Sequence, residues 1–371
     1  MTVVALDGKA LRQGGRGIAR AMQQLIPLLS HHLGLDYVAL VTEEGSRLLG
    51  PSPERRSIVP DMPNSLWEQV GLPWHARRAG AGIVFSSSEC AALWGPRMLL
   101  HVPEDPHVRW DRMPATTLRE RVRRGYQRVT MPAGIRRAEV VVASCQPTAD
   151  ALRARFGERI RAMEVIALGV DTAAFHASPA PHERWIFHLG SIEARDQSPL
   201  VVLAYARALE EAADLPDLVI GGDLGANRAP VVAAARRAAV GTRLRLVGRI
   251  TDTELRRRYA HAAMCVQLPR YEGFGLQALE ALACGAPLIA SPDAAQRAVV
   301  GDAAVVVERD DDPRAVARAI VELWSSPAHR ARLRAAGPRR AALFTWARTA
   351  ADLHAVLLRL AESPQLRSAL A

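Results

Sequence analysis

The chain has 371 residues, 49% hydrophobic and 23% charged, with a formal net charge of +10. That length predicts two domains with cores of their own, and the composition is globular rather than disordered or fibrous. No apolar run reaches the ~18 residues of a membrane span, the start lacks a signal-peptide pattern, and four scattered cysteines (Cys90, Cys145, Cys265, Cys284) show neither disulfide-framework nor zinc spacing.

These features predict a cytoplasmic protein with reduced thiols and no structural metal. The positive charge permits nucleic acid, an anionic membrane surface or anionic small molecules as partners. Lys9 is the only lysine, however, and every other cation is an arginine, which reads as codon bias and weakens any functional reading of the excess.

A strand over 3–6 ends at Asp7 and leads through Gly14, Gly15, Arg16 and Gly17 into a helix over 18–29. Strand, glycine loop and helix aim backbone N–H groups at an anion, although GGRG alone is also an ordinary tight turn. A second strand spans 37–41. Residues 43–63, rich in Pro, Ser and Arg, are predicted as loop. A helix over 66–79 precedes a strand over 83–85, Ser86, Ser87 and Ser88, and a strand over 98–102. His101 lies at the C-terminal end of that strand, where open parallel sheets carry ligands, although a strand histidine is more often structural.

Residues 117–137 are the most basic stretch, with Arg119, Arg121, Arg123, Arg124, Arg128, Arg136 and Arg137. As a helix they would be cationic on more than one face, suited to anionic lipid headgroups or a phosphorylated acceptor, or simply solvated. A strand over 140–143, a helix from Thr148 and a strand over 163–167 complete the first half. Residues 178–182 (SPAPH) have linker composition.

The second half repeats the alternation. A strand over 185–189, a loop over 190–197, a helix to Glu210, a strand over 218–220, a helix over 231–239 and a strand over 244–247 come first. Then a buried strand over 264–268 enters a loop with Glu272, Gly273 and Gly275. An apolar helix over 276–284 follows, stopped by Gly285 and Pro287, then a strand over 288–290. Glu280 is the only charged residue between Gly273 and Ala290. On a buried face it needs a partner, and sugar hydroxyls would serve; the alternative is a solvated face near the helix start. Helices over 313–324 and 327–343 close this half. The fold class is α/β, two alternating halves each with a mostly parallel sheet.

Glu272 and Glu280 form an E-x7-E element with GFGL after the first Glu. With Val247, Gly248, Arg249 and Ile250, then Thr253, Glu254, Leu255, Tyr259 and Pro269, the block 247–291 resembles the donor-binding core of retaining glycosyltransferases of family 4. The opening DGKALRQGGRGIARAMQQLIPLL resembles the mannosyl- and rhamnosyl-type group 1 members, with Ala21 where Tyr is usual. The resemblance continues at Trp67, Glu68 and Gln69, at Gly169, Val170 and Asp171, at 302–307, and at Phe344, Thr345 and Trp346.

The resemblance implies a GT-B fold of two Rossmann-like domains with the substrate cleft between them. Residues 1–177 would bind acceptor, 183–345 would bind the nucleotide-sugar donor, and 346–371 would pack back on the first domain. It implies transfer of a hexose, with retention, to a saccharide, lipid-linked or small-molecule acceptor, with GDP-mannose as the single best donor. It gives His101 and Glu272 catalytic roles, Glu272 also taking hydroxyls of the transferred sugar. Glu280 would take the ribose, and Arg249 and Ile250 would lie near the base. Gly273, Phe274, Gly275 and Leu276, with Ser191, Arg195, Gly15 and Gly17, would surround the diphosphate. No cofactor or metal is implied.

The sequence departs from that pattern in the loop over 190–197. Ser191 stands at the usual Arg position and Asp196 at the usual Lys position. An aspartate facing a diphosphate would repel it by roughly 1 to 4 kcal/mol at ~4 Å, while Arg195 could supply one charge. Val102 where Asp is usual, Gln277 and Ala298 are lesser departures. Two other readings stay open: a pseudo-glycosyltransferase with an unusual donor, and a basic nucleic-acid-binding or scaffold protein with an inactive donor site. No nucleic-acid motif appears and the arginines are spread along the chain, so nucleic acid is not expected.

Overall fold

In the computed structural model, the described residues are 1–12, 15, 17–51, 55–88, 90–105, 117–179 and 185–363. They form two compact α/β units, one of Met1–Gly169 with the chain from Trp346 onward, the other Val170–Thr345. The division therefore precedes the 178–182 segment. Residues 170–177 join the second unit because Val170 N–H bonds Phe344 O at 3.0 Å and Phe175 is buried.

The first unit holds seven parallel strands: β1 (Thr2–Asp7), β2 (Leu35–Val41), β3 (Arg55–Ile58), β4 (Ile83–Ser87), β5 (Arg97–Val102), β6 (Val140–Ala143) and β7 (Met163–Val165). Their order is β3-β2-β1-β4-β5-β6-β7, so the winding reverses between β1 and β4. The central strands are near-continuous apolar runs because helices cover both faces; Val4, Ala5 and Leu6 have no exposed surface. The Trp346–Glu362 helix packs beside Ile18–Ser30. It is pinned by Thr349 Oγ to Ala167 O at 2.8 Å and by an Arg97 guanidinium N–H to Leu360 O at 2.7 Å.

Residues 43–63, expected as loop, contain a helix (Glu43–Leu49) and the edge strand β3. The Thr42 hydroxyl caps that helix by accepting the Gly45 N–H at 3.1 Å, and Glu43 and Glu44 suit its positive end. An edge strand tolerates Arg55 and Arg56, which hides β3 from an apolar-run reading. The helix expected over 66–79 starts at Asn64, passes through a π-turn (Trp67–Gly71) and ends at Arg78.

The second unit holds six parallel strands: β8 (Trp185–Leu189), β9 (Asp217–Gly221), β10 (Leu244–Gly248), β11 (Met264–Gln267), β12 (Leu288–Ala290) and β13 (Val305–Val306). The order β10-β9-β8-β11-β12-β13 reverses between β8 and β11. Val201, Val202 and Tyr205 of the Ser198–Glu211 helix share one core with Val316, Ile320 and Leu323 of Pro313–Ser325 and with Ile186, Leu218 and Val266 of the sheet. Among the described residues, no helix is long and apolar enough to cross a membrane.

Candidate functional site

In doubly wound sheets, ligands bind beyond the carboxyl ends of the strands where the order reverses. In the second unit that place lies between the loops after β8 and β11. Each loop ends in a residue with positive φ that opens a helix: Gln197 (+55°) before Ser198–Glu211 and Gly275 (+100°) before Leu276–Ala283. Among the described residues neither start carries a side-chain cap. At the first start Pro199 has no N–H and Leu200 N–H bonds Gln197 O at 2.9 Å, so the Leu276–Ala283 start, together with the two positive helix ends, is what suits an anion.

The two loops are stitched together. Arg270 N–H bonds Arg195 O at 2.9 Å, and the Gln197 amide donates to Leu268 O at 2.8 Å and to Asp310 Oδ2 at 3.0 Å. Arg270 Nε returns to Gln197 Oε1 at 3.1 Å. Gln197 is thus a clamp that the sequence does not reveal, since its left-handed backbone has no signature in a glutamine.

The structure brings Arg195 and Glu272 together. Arg195 Nη1 lies 4.0 Å from Glu272 Oε2, its Nε 2.8 Å from Glu193 Oε2, and its guanidinium 5.2 Å above the Tyr271 ring. Glu280 is 5% exposed, which removes the solvated-face alternative. Burial first, and then the Glu280 carboxylate, push the neighbouring Cys284 thiol up to about 12. Phe274 is buried edge-to-face on Phe344 at 5.9 Å, so its side chain anchors the loop, while Leu276 begins the helix.

The remaining residues expected near a donor follow β8 and β10 of the same sheet. Arg249 is exposed, 3.5 Å from Asp223, and Ile250 packs over Gly221, where a Cβ would lie 3.0 Å from Ile250 Cδ1. Ser191 Oγ accepts the Glu193 N–H at 3.0 Å and Ser191 O accepts the Asn227 amide at 3.0 Å. Asp196 is buried, and burial pushes its carboxyl up to about 6 against the lowering effects of Ser191 and Arg195. Among the described residues, no group of three or more His, Cys, Asp or Glu is placed to hold a metal ion.

In the first unit the reversal point is built around Asp7, at the end of β1. It accepts Ser86 Oγ from β4 at 2.8 Å and Trp67 Nε1 at 3.0 Å, and burial holds its carboxyl above the usual carboxylate range. Gly17 (φ +59°) opens the Ile18–Ser30 helix, and Gly15 N–H bonds Arg12 O at 2.9 Å; Gly14 and Arg16 lie outside the described residues. His101 is 4% exposed, with Nδ1 2.7 Å from Ser87 Oγ and Nε2 2.7 Å from Ser144 Oγ. Burial lowers its pKa to about 4, so the ring is neutral, and any proton transfer to a substrate requires one serine contact to open.

The basic stretch is a helix, Leu118–Arg137, started by a capping box at Thr117 and Glu120. Arg121, Arg123, Arg128 and Arg136 are exposed, alongside Leu118, Val122 and Val129. Its other face buries Met131 and Ile135, and Arg137 turns inward onto the carbonyls of Ala92, Gly95 and Pro96. The exposed arginines thus share the helix with a buried apolar face, and Arg137 is structural; the Arg119 side chain lies outside the described residues.

Residues 172–340 match the family described as Glycosyl transferases group 1. The chain is 31% identical over 239 residues to a D-inositol 3-phosphate glycosyltransferase of Nocardiopsis dassonvillei, covering 59% of this chain and 55% of the relative. It is 31% identical over 210 residues to a GDP-mannose-dependent alpha-(1-6)-phosphatidylinositol dimannoside mannosyltransferase of Mycobacterium tuberculosis, covering 53% of this chain and 52% of the relative. The chain thus spans about half the length of the curated relatives it matches. Among solved structures it resembles sucrose-phosphate synthase of Thermosynechococcus elongatus (TM-score 0.77, 20% identity, 97% of this chain and 99% of that one). It also resembles HepE of Anabaena in complex with UDP and glucose (TM-score 0.72, 15% identity, 96% and 99%). The two doubly wound units therefore have the GT-B fold of these structures, and residues 172–340 are similar to the group 1 glycosyltransferases.

Proposed function

We propose that the protein is a retaining glycosyltransferase that moves a hexose from a nucleotide-diphosphate sugar to a hydroxyl of a saccharide, lipid-linked or small-molecule acceptor. GDP-mannose is the donor we favour, supported by the N-terminal motif and by the GDP-mannose dependence in the name of one relative. The observation that carries the reading is the pair of uncapped helix starts at the β8–β11 reversal, with Arg195 and Glu272 beside them and Glu280 buried in the second helix. The leaving group is a diphosphate whose charge grows in the transition state. N–H groups, helix ends and Arg195 aimed there would stabilise it, with no side-chain nucleophile required. Glu272 would take hydroxyls of the transferred sugar and Glu280 those of the ribose.

The exposed face of Leu118–Arg137, cationic with apolar side chains between, suits an anionic membrane surface that would hold a lipid-linked acceptor. Sedimentation with phosphatidylglycerol vesicles, compared with neutral phosphatidylcholine vesicles, tests that part. Equal binding to both would remove it.

The donor site is tested by a thermal-shift and calorimetry panel of GDP, UDP, dTDP and ADP with their common sugars, on the wild type and Glu280→Ala. A ligand that binds only the native state must raise the melting point. Binding of one nucleotide family, lost in Glu280→Ala, is the expected result. No binding up to millimolar concentration would sink the reading and favour the unusual-donor alternative that Asp196 suggests.

A further inference from the structure

Asp196 lies in the turn after β8, two residues before the Ser198–Glu211 helix. It is 6% exposed, and its Oδ2 is buried with no hydrogen-bond partner among the described residues. The carboxyl faces the hydroxyl and backbone N–H of Ser191. Among the described residues, the charged groups that act on it, Arg195 and Glu193, are engaged with each other. Arg195, next in the chain, is shared between Glu193 at 2.8 Å and Glu272 at 4.0 Å. Arg270, on the loop after β11, bonds Gln197, which also holds Asp310. His188 of β8 is buried and neutral, its Nε2 2.9 Å from Ser198 Oγ.

A buried carboxylate with an orphaned oxygen is unfavourable as an ion. An anion brought to the two helix starts adds like charge beside it and favours the neutral form further. Protonation also converts the carboxyl from an acceptor into an O–H donor. We propose that Asp196 takes up one proton when the diphosphate of a nucleotide sugar binds at the β8–β11 crevice, which makes donor binding proton-linked. This rests on the donor-site reading above and adds a pH dependence to it. The proton comes from solvent and stays on the Asp196 carboxyl, and no covalent bond in the ligand changes. Because burial already holds the group near pH 6, the linkage operates around neutral pH. Above the pKa, each pH unit lowers the protonated fraction about tenfold.

The test is calorimetric titration of the full chain with GDP-mannose and UDP-glucose, whose phosphodiester groups do not titrate near neutrality. Each titration is run from about pH 6.5 to 8.5 in two buffers of different ionisation enthalpy. The expected wild-type result is uptake approaching one proton per ligand at the alkaline end, with affinity falling toward tenfold per pH unit. Asp196→Asn, close to isosteric, should bind with flat affinity and no uptake, and Asp196→Lys should bind more tightly than wild type above pH 7.5. Wild-type binding without proton uptake would overturn the proposal, as would uptake that persists in Asp196→Asn. If none of the three proteins binds either ligand at any pH, the donor-site reading itself fails, and this proposal with it.

Discussion

Arg195 holds its guanidinium 4.0 Å from the Glu272 carboxylate, across the two loops that bracket the β8–β11 reversal. The pair keeps a cation at the mouth of two helix starts, while Glu193 takes its other edge at 2.8 Å. A diphosphate arriving there would compete with both carboxylates for Arg195. Arg195→Ala should weaken nucleotide binding by about 10- to 100-fold, the range of a charge-assisted hydrogen bond worth ~1.5–3 kcal/mol. Arg195→Lys should restore part of it, because it keeps the charge and loses the fork. Nucleotide-induced melting shifts read both, and an unchanged shift in the alanine variant would take Arg195 out of the site.

Gly275 sits at φ +100°, and a Cβ placed on it would have its nearest neighbours 3.8 Å away. Space is therefore available and the barrier to a side chain is conformational. Gly275→Ala should destabilise the second unit by about 1–2 kcal/mol, the penalty of left-handed backbone for an L-residue. It should lower the urea midpoint without changing the slope. A stable Gly275→Ala protein that still binds nucleotide normally would show that the loop can enter the helix another way.

His101 and His188 are both buried, and burial lowers each to about 4 from the ordinary 6.5. The folded state binds fewer protons than the unfolded chain below pH 6.5. Each therefore contributes stability that is full above pH 6.5 and lost as pH falls toward 4, about 3 kcal/mol per residue. Asp196, raised to about 6, acts in the opposite sense: its contribution is present below about pH 4 and lost as pH rises through 6. The total curve is thus partly cancelled, so the prediction is a difference. The stability gap between wild type and His101→Gln should shrink by about 3 kcal/mol from pH 7 to pH 4, read from urea unfolding at each pH. A constant gap would mean that burial does not lower the His101 pKa below that of the unfolded chain.

Strands such as 37–41, 140–143 and 185–189 are legible in the sequence because parallel strands covered on both faces are continuous apolar runs. The glycine loop and the Glu272–Glu280 spacing are legible because they form a contiguous sequence motif. β3 is not, since an edge strand can carry Arg55 and Arg56. The Ala294–Val300 helix also escapes a sequence reading; its start rests on Asp293 accepting the N–H groups of Ala295 and Gln296, a local signal too short to stand out. Asp7 reads only as a strand end because its partners, Trp67 and Ser86, are distant in sequence. The pairing of Ser191 with Asp196 can be located as a departure but not explained, since burial of the carboxyl is a tertiary fact.

The last helix belongs to the first unit although it follows the second in sequence. Trp346, Ala350, Leu353, Val356, Leu357 and Leu360 bury one face of Trp346–Glu362. Polar ties complete the contact: Tyr37 OH to His354 Nδ1 at 2.6 Å, Arg359 to Glu164 at 2.7 Å, and the bonds from Thr349 and Arg97. Leu357→Ala, at a position with no exposed surface, should cost about 2–5 kcal/mol, the range for large-to-small core changes. The loss should fall on one unit only. Hydrogen exchange on the variant should show faster opening of peptides from β1 and β2, while peptides from β11 and β12 keep wild-type protection. Equal acceleration in both units would mean that they unfold as one cooperative body, and would overturn the assignment of this helix to the first unit alone.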